Sequence, residues 1–123
     1  LPPEQRQRML EGMKAGDGWR VPPNPCLPDT SEADLKWILP RRLPQSVKCA
    51  ETPLRLRHGE LILPRSFVYC TRVAPGDPFR QFAERARNEP GWRYYEIDAS
   101  HSPHVTAPEA LAALLQKIAS ERT

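Results

Sequence analysis

The sequence predicts an α/β fold, namely the C-terminal strand–helix–strand–helix part of a parallel sheet, preceded by a proline-rich segment. Three observations lead there. Ser66-Phe67-Val68-Tyr69-Cys70 is a short, nearly continuous apolar run, as in a strand buried on both faces. A helical pattern follows it, and Trp92 to Ile97 then reads as a second strand. Leu111, Leu114, Leu115 and Ile118 finally recur on one face of a last helix. Strand, helix, strand, helix in that order is the unit from which open parallel sheets are built.

Each element has a local reason. Phe79, Phe82, Ala83 and Ala86 lie at i, i+3, i+4 and i+7, with Pro78 at the first helical position, where a missing N–H costs nothing. Pro90-Gly91 breaks the chain before the second strand. Thr106 and Glu109 have the spacing of a capping box ahead of the last helix. Upstream, Pro3 to Lys14 predicts a short helix stopped by Gly16 and Gly18, and Gly18 to Pro23 reads as extended chain. Ser31 to Leu39 predicts another helix, capped by Ser31 and ended by Pro40, with Leu35, Ile38 and Leu39 on its apolar side. Most of the 15 prolines precede Arg65, so that stretch should be rich in loops. Residues 1–45 and 46–123 accordingly divide the chain.

Size and composition set limits. A chain of 123 residues is one small domain at most, and 39% hydrophobic with 27% charged residues is ordinary for a globular protein. The net charge of +3 comes from 18 basic and 15 acidic residues, interspersed along the chain, with no basic stripe of the kind a nucleic-acid binder shows. No apolar run approaches the roughly 20 residues that span a bilayer. No nucleic-acid or membrane partner is expected. Cys26, Cys49 and Cys70 form no CxxC pair, which favours reduced thiols and a cytoplasmic location over a disulfide framework or zinc site. The start at Leu1 suggests trimming, processing or a fragment of something longer. A strand apolar on both faces also needs neighbours on each side, and two strands do not supply them.

Reactive groups of a parallel sheet gather just past the carboxyl ends of its strands. The two loops there hold Asp77 and His101. Acid then histidine after successive strands is the tail of the order serine, acid, histidine, in which the carboxylate orients the imidazole that accepts the serine proton. Plainer roles stand beside these. Asp77 is placed to cap a helix, His101 to be a solvated loop residue, and Asp98 is a rival carboxylate or a turn residue. His101 and His104 lack a third ligand for a metal.

Leu63-Pro64-Arg65-Ser66-Phe67-Val68-Tyr69-Cys70-Thr71, Gly91-Trp92, Ser100-His101 and Val105-Thr106-Ala107-Pro108-Glu109-Ala110-Leu111 together resemble the end of an α/β-hydrolase. The similar group is that of plant methylesterases and hydroxynitrile lyases with their bacterial esterase relatives, whose sequences read L-P-R-x-Y-I-x-C-T, then G-W, then G-H-D-A-M-x-T-x-P-E-A-L-A. Gly18 to Pro23 and Leu43-Pro44-Gln45 resemble pieces of that group's cap. The resemblance implies that His101 is the triad histidine and Asp77 its acid, that residues 1–45 form a lid, and that Trp19, Trp37 and His104 meet the substrate. It implies a carboxylic ester hydrolase that needs no cofactor. Ser100 stands where the group has glycine, and Ser102-Pro103-His104 replaces D-A-M. None of Ser31, Ser46, Ser66, Ser100, Ser102 and Ser120 has the flanking glycines of a nucleophile elbow. The nucleophile and the oxyanion donors are therefore expected from an N-terminal segment outside this sequence, the partner on which activity depends. Cyanohydrin cleavage on the same scaffold, with Lys36 or Lys48 near the pocket, and a non-catalytic binding protein are the alternative functions.

Overall fold

A computed structural model describes residues 3–23, 29–59, 63–73 and 75–121. Cys26 lies outside the described residues. The protein mixes helices with two small sheets, and the chain divides into two compact units, one of residues 1–27 and 35–59, the other of residues 28–34 and 60–123. The first unit thus continues past the boundary near residue 45 expected from the sequence.

In the first unit, helix α1 (Pro3–Ala15) ends as expected where Gly16 and Gly18 donate back to the carbonyl of Met13. Gly18 has φ +84°, a conformation that L side chains rarely adopt. The extended chain after it forms β1 (Arg20–Val21), which pairs antiparallel with β2 (Gln45–Ser46). Helix α2 (Glu32–Ile38) has the cap expected: the amide of Asp34 donates to the Ser31 hydroxyl at 3.1 Å. Pro40 does not end the turn outright. It sits inside a short 3₁₀ turn, Leu39–Arg41, which needs no amide donor at that position. A one-turn helix, α3 (Lys48–Glu51), follows β2.

The second unit is the strand–helix–strand–helix array. Strands β3 (Arg65–Cys70) and β4 (Trp92–Ile97) are parallel, with Arg65 opposite Trp92 and Cys70 opposite Ile97. Helix α4 (Arg80–Asn88) connects them, and Gly91, at φ +83°, makes the turn into β4. Beyond β4 come α5 (Pro103–Thr106) and α6 (Pro108–Ser120).

Alternation along β4 explains how the helices attach. Tyr94 and Glu96 share one face, and Arg87 of α4 bonds to both. Arg93 and Tyr95 share the other face, and both reach Glu121 just past α6. Helix α4 packs closely because its contact residues are small: Ala83 and Ala86 are each only 3% exposed. The other buried residues among those described are Ile97, Ala99 and Ser100, at and beyond the end of β4.

Several expectations need correction. Strand β3 is half-buried at every position rather than enclosed, because its described residues pair with β4 alone. Phe79 and Phe82 share the predicted α4 face but remain exposed, since Ala83 and Ala86 occupy the contact with the strands. Helix α6 buries none of its residues, and Leu115 is exposed. The capping box does not form. Thr106 belongs to α5, where its hydroxyl donates to the carbonyl of Ser102, and Ala107 takes the cap position of α6 without a side-chain bond.

Charge also departs from the sequence reading. Although interspersed along the chain, it is segregated in the fold. The first unit carries ten lysines and arginines against four acidic residues, a net +6, and the second carries eight against eleven, a net −3.

Candidate functional site

The parallel register of β3 and β4 brings the loops at their carboxyl ends side by side. Backbone pairing continues past the strands, from the amide of Thr71 to the carbonyl of Ile97 and from that of Arg72 to Ala99. The Arg72 guanidinium grips the Asp98 carboxylate with two bonds, at 2.8 and 3.0 Å, and lies 3.7 Å from Asp29. Asp98 is thereby a loop anchor, and the arginine beside it holds its carboxyl below the ordinary aspartate range. It is not a partner of His101.

Asp77 sits half-buried between β3 and α4. One carboxylate oxygen accepts the Tyr69 hydroxyl at 2.7 Å, and the other accepts the amide of Phe79 at 3.0 Å. The second bond closes a tight turn across Pro78 just ahead of α4. The helix itself begins at Arg80, and its cap position is Phe79, without a side-chain bond. Pro78 is therefore not its first residue, and Asp77 is not its cap as the sequence suggested. Burial pushes the Asp77 carboxyl upward. The Tyr69 hydroxyl, the amides of Phe79 and Arg80 and the Arg80 charge outweigh that push and leave it below its ordinary value. Reciprocally, the bond to Asp77, with burial, raises the Tyr69 phenol.

His101 is exposed and follows the buried Ser100, which is 2% exposed. Its ring stacks on that of Phe79, with centroids 4.4 Å apart and planes 14° from parallel. The histidine loop and the acid loop therefore touch, through the residue two positions beyond Asp77. No hydrogen bond between Asp77 and His101 is formed among the described residues. His104, on α5, is exposed. Among the described residues no three histidine, cysteine, aspartate or glutamate side chains are grouped to hold a metal ion. Cys49 and Cys70 are free thiols, and burial raises that of Cys70.

Trp19 and Trp37 belong to the first unit. Both are more than half exposed, and an arginine covers a face of each: Arg20 at 5.0 Å from the Trp19 ring centroid and Arg41 at 4.7 Å from that of Trp37. A shallow, open hollow in that unit is lined by Arg6, Met9, Ala50 and Glu51, with neither tryptophan in its lining.

Sequence reasoning missed three contributors here: Tyr69, Arg72 and Phe79 as a ring partner. Tyr69 and Arg72 gain their roles from a carboxylate eight and 26 residues away, distances at which no local pattern speaks. The register offered one usable signal. Extending the Cys70–Ile97 pair sets Thr71 and Arg72 beside Asp98 and Ala99.

No protein-family model, curated protein or solved structure matches this chain. Among the described residues no helix is long and apolar enough to cross a membrane.

Proposed function

We propose that the chain is the C-terminal segment of a serine-dependent carboxylic ester hydrolase, working with an N-terminal segment that carries the nucleophile. The contact of the Phe79 ring with His101 carries this reading, because it joins the two loops on which a triad acid and histidine must sit. The motif ending in Ser100-His101 and Val105 to Leu111 supports it from the sequence side.

His101 takes the proton of the incoming serine and returns it to the leaving alcohol. Asp77 orients the imidazole from the neighbouring loop. Its existing bonds leave room for this, since two carboxylate oxygens offer about four acceptor sites and Tyr69 and Phe79 use two. Those two donors hold the carboxylate in one orientation while a third arrives. His104 borders the ester. Trp19 and Trp37, which the resemblance assigns to the substrate, belong to the first unit, each with an arginine across one ring face.

The test begins with an intact-mass measurement on the native sample, to identify a companion polypeptide. The pair is then assayed on a chromogenic short-chain ester and on a cyanohydrin. His101→Ala should lower ester turnover on the order of 10⁴-fold or more. Unchanged turnover in that variant would sink the reading. Cyanohydrin cleavage without ester turnover would replace it with lyase chemistry.

One observation favours a second reading, that of a non-catalytic binding protein. Both oxygens of Asp77 are already engaged, and His101 stacks on Phe79 without a hydrogen bond to Asp77 among the described residues. Ligand affinity that survives His101→Ala, with no ester turnover in either form, would establish it.

A further inference from the structure

The basic unit carries an exposed apolar surface that the hydrolytic reading does not use. Trp19, Trp37, Leu39, Leu43, Leu54 and Leu56 are all exposed, Leu54 to 86% and Leu43 to 75%. They lie close along the chain to Arg20, Arg41, Arg42, Arg55 and Arg57. Val47 donates its amide to the carbonyl of Trp19, and Val21 pairs with Gln45, so the Trp19–Val21 stretch runs beside the chain leading out of Leu43. Trp37 and Leu39 precede β2 along the chain, at the end of α2 and in the 3₁₀ turn, and Leu43 stands two residues before it. Of the unit's four carboxylates, Asp17 is spent on Arg20. Arg55 and Arg57 meet no carboxylate within ion-pair distance among the described residues.

We infer that this surface docks on an anionic lipid bilayer. A net +6 concentrated in one unit is attracted to a negatively charged leaflet. Tryptophan settles at the headgroup level, with its apolar ring inward and its N–H wet, and an arginine over the ring lies where lipid phosphates are. Leucines at 54 and 56, alternating with Arg55 and Arg57, supply aliphatic area for the acyl boundary while the guanidinium groups stay with the headgroups. Four of the six exposed apolar side chains are leucines, which offer no ring for a nucleobase to stack on. A second copy of the same surface would repel it by charge. The unit contains neither Asp77 nor His101, so the inference is tested without reference to ester turnover.

The experiment is co-sedimentation of the full chain with extruded vesicles, in two compositions: phosphatidylcholine alone and phosphatidylcholine mixed with phosphatidylserine. Binding to the mixed vesicles only, weakening as salt is added, is the expected result. Tryptophan emission should shift to the blue on binding. Arg55→Glu with Arg57→Glu should weaken binding by about tenfold or more. Leu54→Ser with Leu56→Ser changes side chains already in solvent. It should leave the fold intact by circular dichroism while reducing binding at high salt, where the apolar contribution dominates. Three results would overturn the inference. These are no vesicle binding, equal binding to both compositions, and binding only to a single-stranded oligonucleotide. Self-association in sedimentation that removes vesicle binding would assign the surface to a second copy instead.

Discussion

Asp77 shows how one side chain carries two structural duties. Its two oxygens tie the start of α4 to β3 through Phe79 and Tyr69. The carboxyl titrates below its ordinary value, so the direction of its pH effect is fixed. A depressed folded-state value means the stabilisation is present above the unfolded value of about 4 and is lost as pH falls through the folded one. Asp77→Asn keeps an oxygen to accept the Phe79 amide and removes only the charge, so it should cost under about 1 kcal/mol near neutrality. Denaturant unfolding followed from pH 7 down to about 2 should show the variant and the parent converging at the acid end. A constant gap between them across that range would mean that the charge of Asp77 is not what stabilises the turn. Asp98 and Glu96 are depressed in the same direction by Arg72 and by Tyr94 with Arg87. Acid sensitivity will thus be shared, and only the Asp77 share is removed by the substitution.

Helix α4 is held by smallness. Ala83 and Ala86 let the helix backbone approach the strands, while the large Phe82 on the same predicted face stays outside the contact. Packing at that seam leaves no room for added methylenes, so Ala83→Leu should destabilise by about 1–3 kcal/mol. Phe82→Ala removes an exposed ring and should cost under about 1 kcal/mol, close to an ordinary surface change. Thermal unfolding of both variants checks the ranking. A costlier Phe82→Ala would show that the ring is covered in solution by something beyond the described residues. Phe79 is a different case, since its ring spans the gap to His101. Its removal should alter the ring-current shift of the His101 protons in an NMR spectrum while leaving α4 formed.

At the scale of the molecule, the buried residues among those described all lie in one unit. Ala83, Ala86, Ile97, Ala99 and Ser100 surround the α4 contact and the end of β4, whereas no described residue of the first unit is buried. Protection from solvent exchange follows burial and shared hydrogen bonding. Amide hydrogen exchange should therefore be slowest in β3, β4 and α4 and fast throughout α1, β1 and β2. Slow amides in α1 would contradict this distribution. The same division places the positive charge with the exposed tryptophans and leucines, and the acidic excess with the parallel strands.

Local patterns in the sequence were sufficient for α1, α4, β3, β4 and α6 and for the Ser31 cap, while α4 began two residues later than the Asp77-Pro78 signal implied. The information there is short-range: a glycine stop, a proline at the first turn, an acceptor two or three residues from a free amide. The parallel order of the strands was legible for the same reason, since a helix of this length between two strands returns the chain to run parallel. What local pattern could not supply was decided by contacts between distant residues. An apolar stripe states which face prefers burial, but only the partners present decide whether β3 and α6 are enclosed or left half-covered. The Thr106 hydroxyl had two acceptable partners, and the turn of α5 gave it to the Ser102 carbonyl. Arg72 found Asp98 and Phe79 found His101 because parallel register set two loops side by side. Charge interspersed along the chain divides into a basic and an acidic unit because Asp29, Glu32 and Asp34, which precede much of the basic unit in sequence, belong to the second unit, a matter of which residues become neighbours rather than of their order.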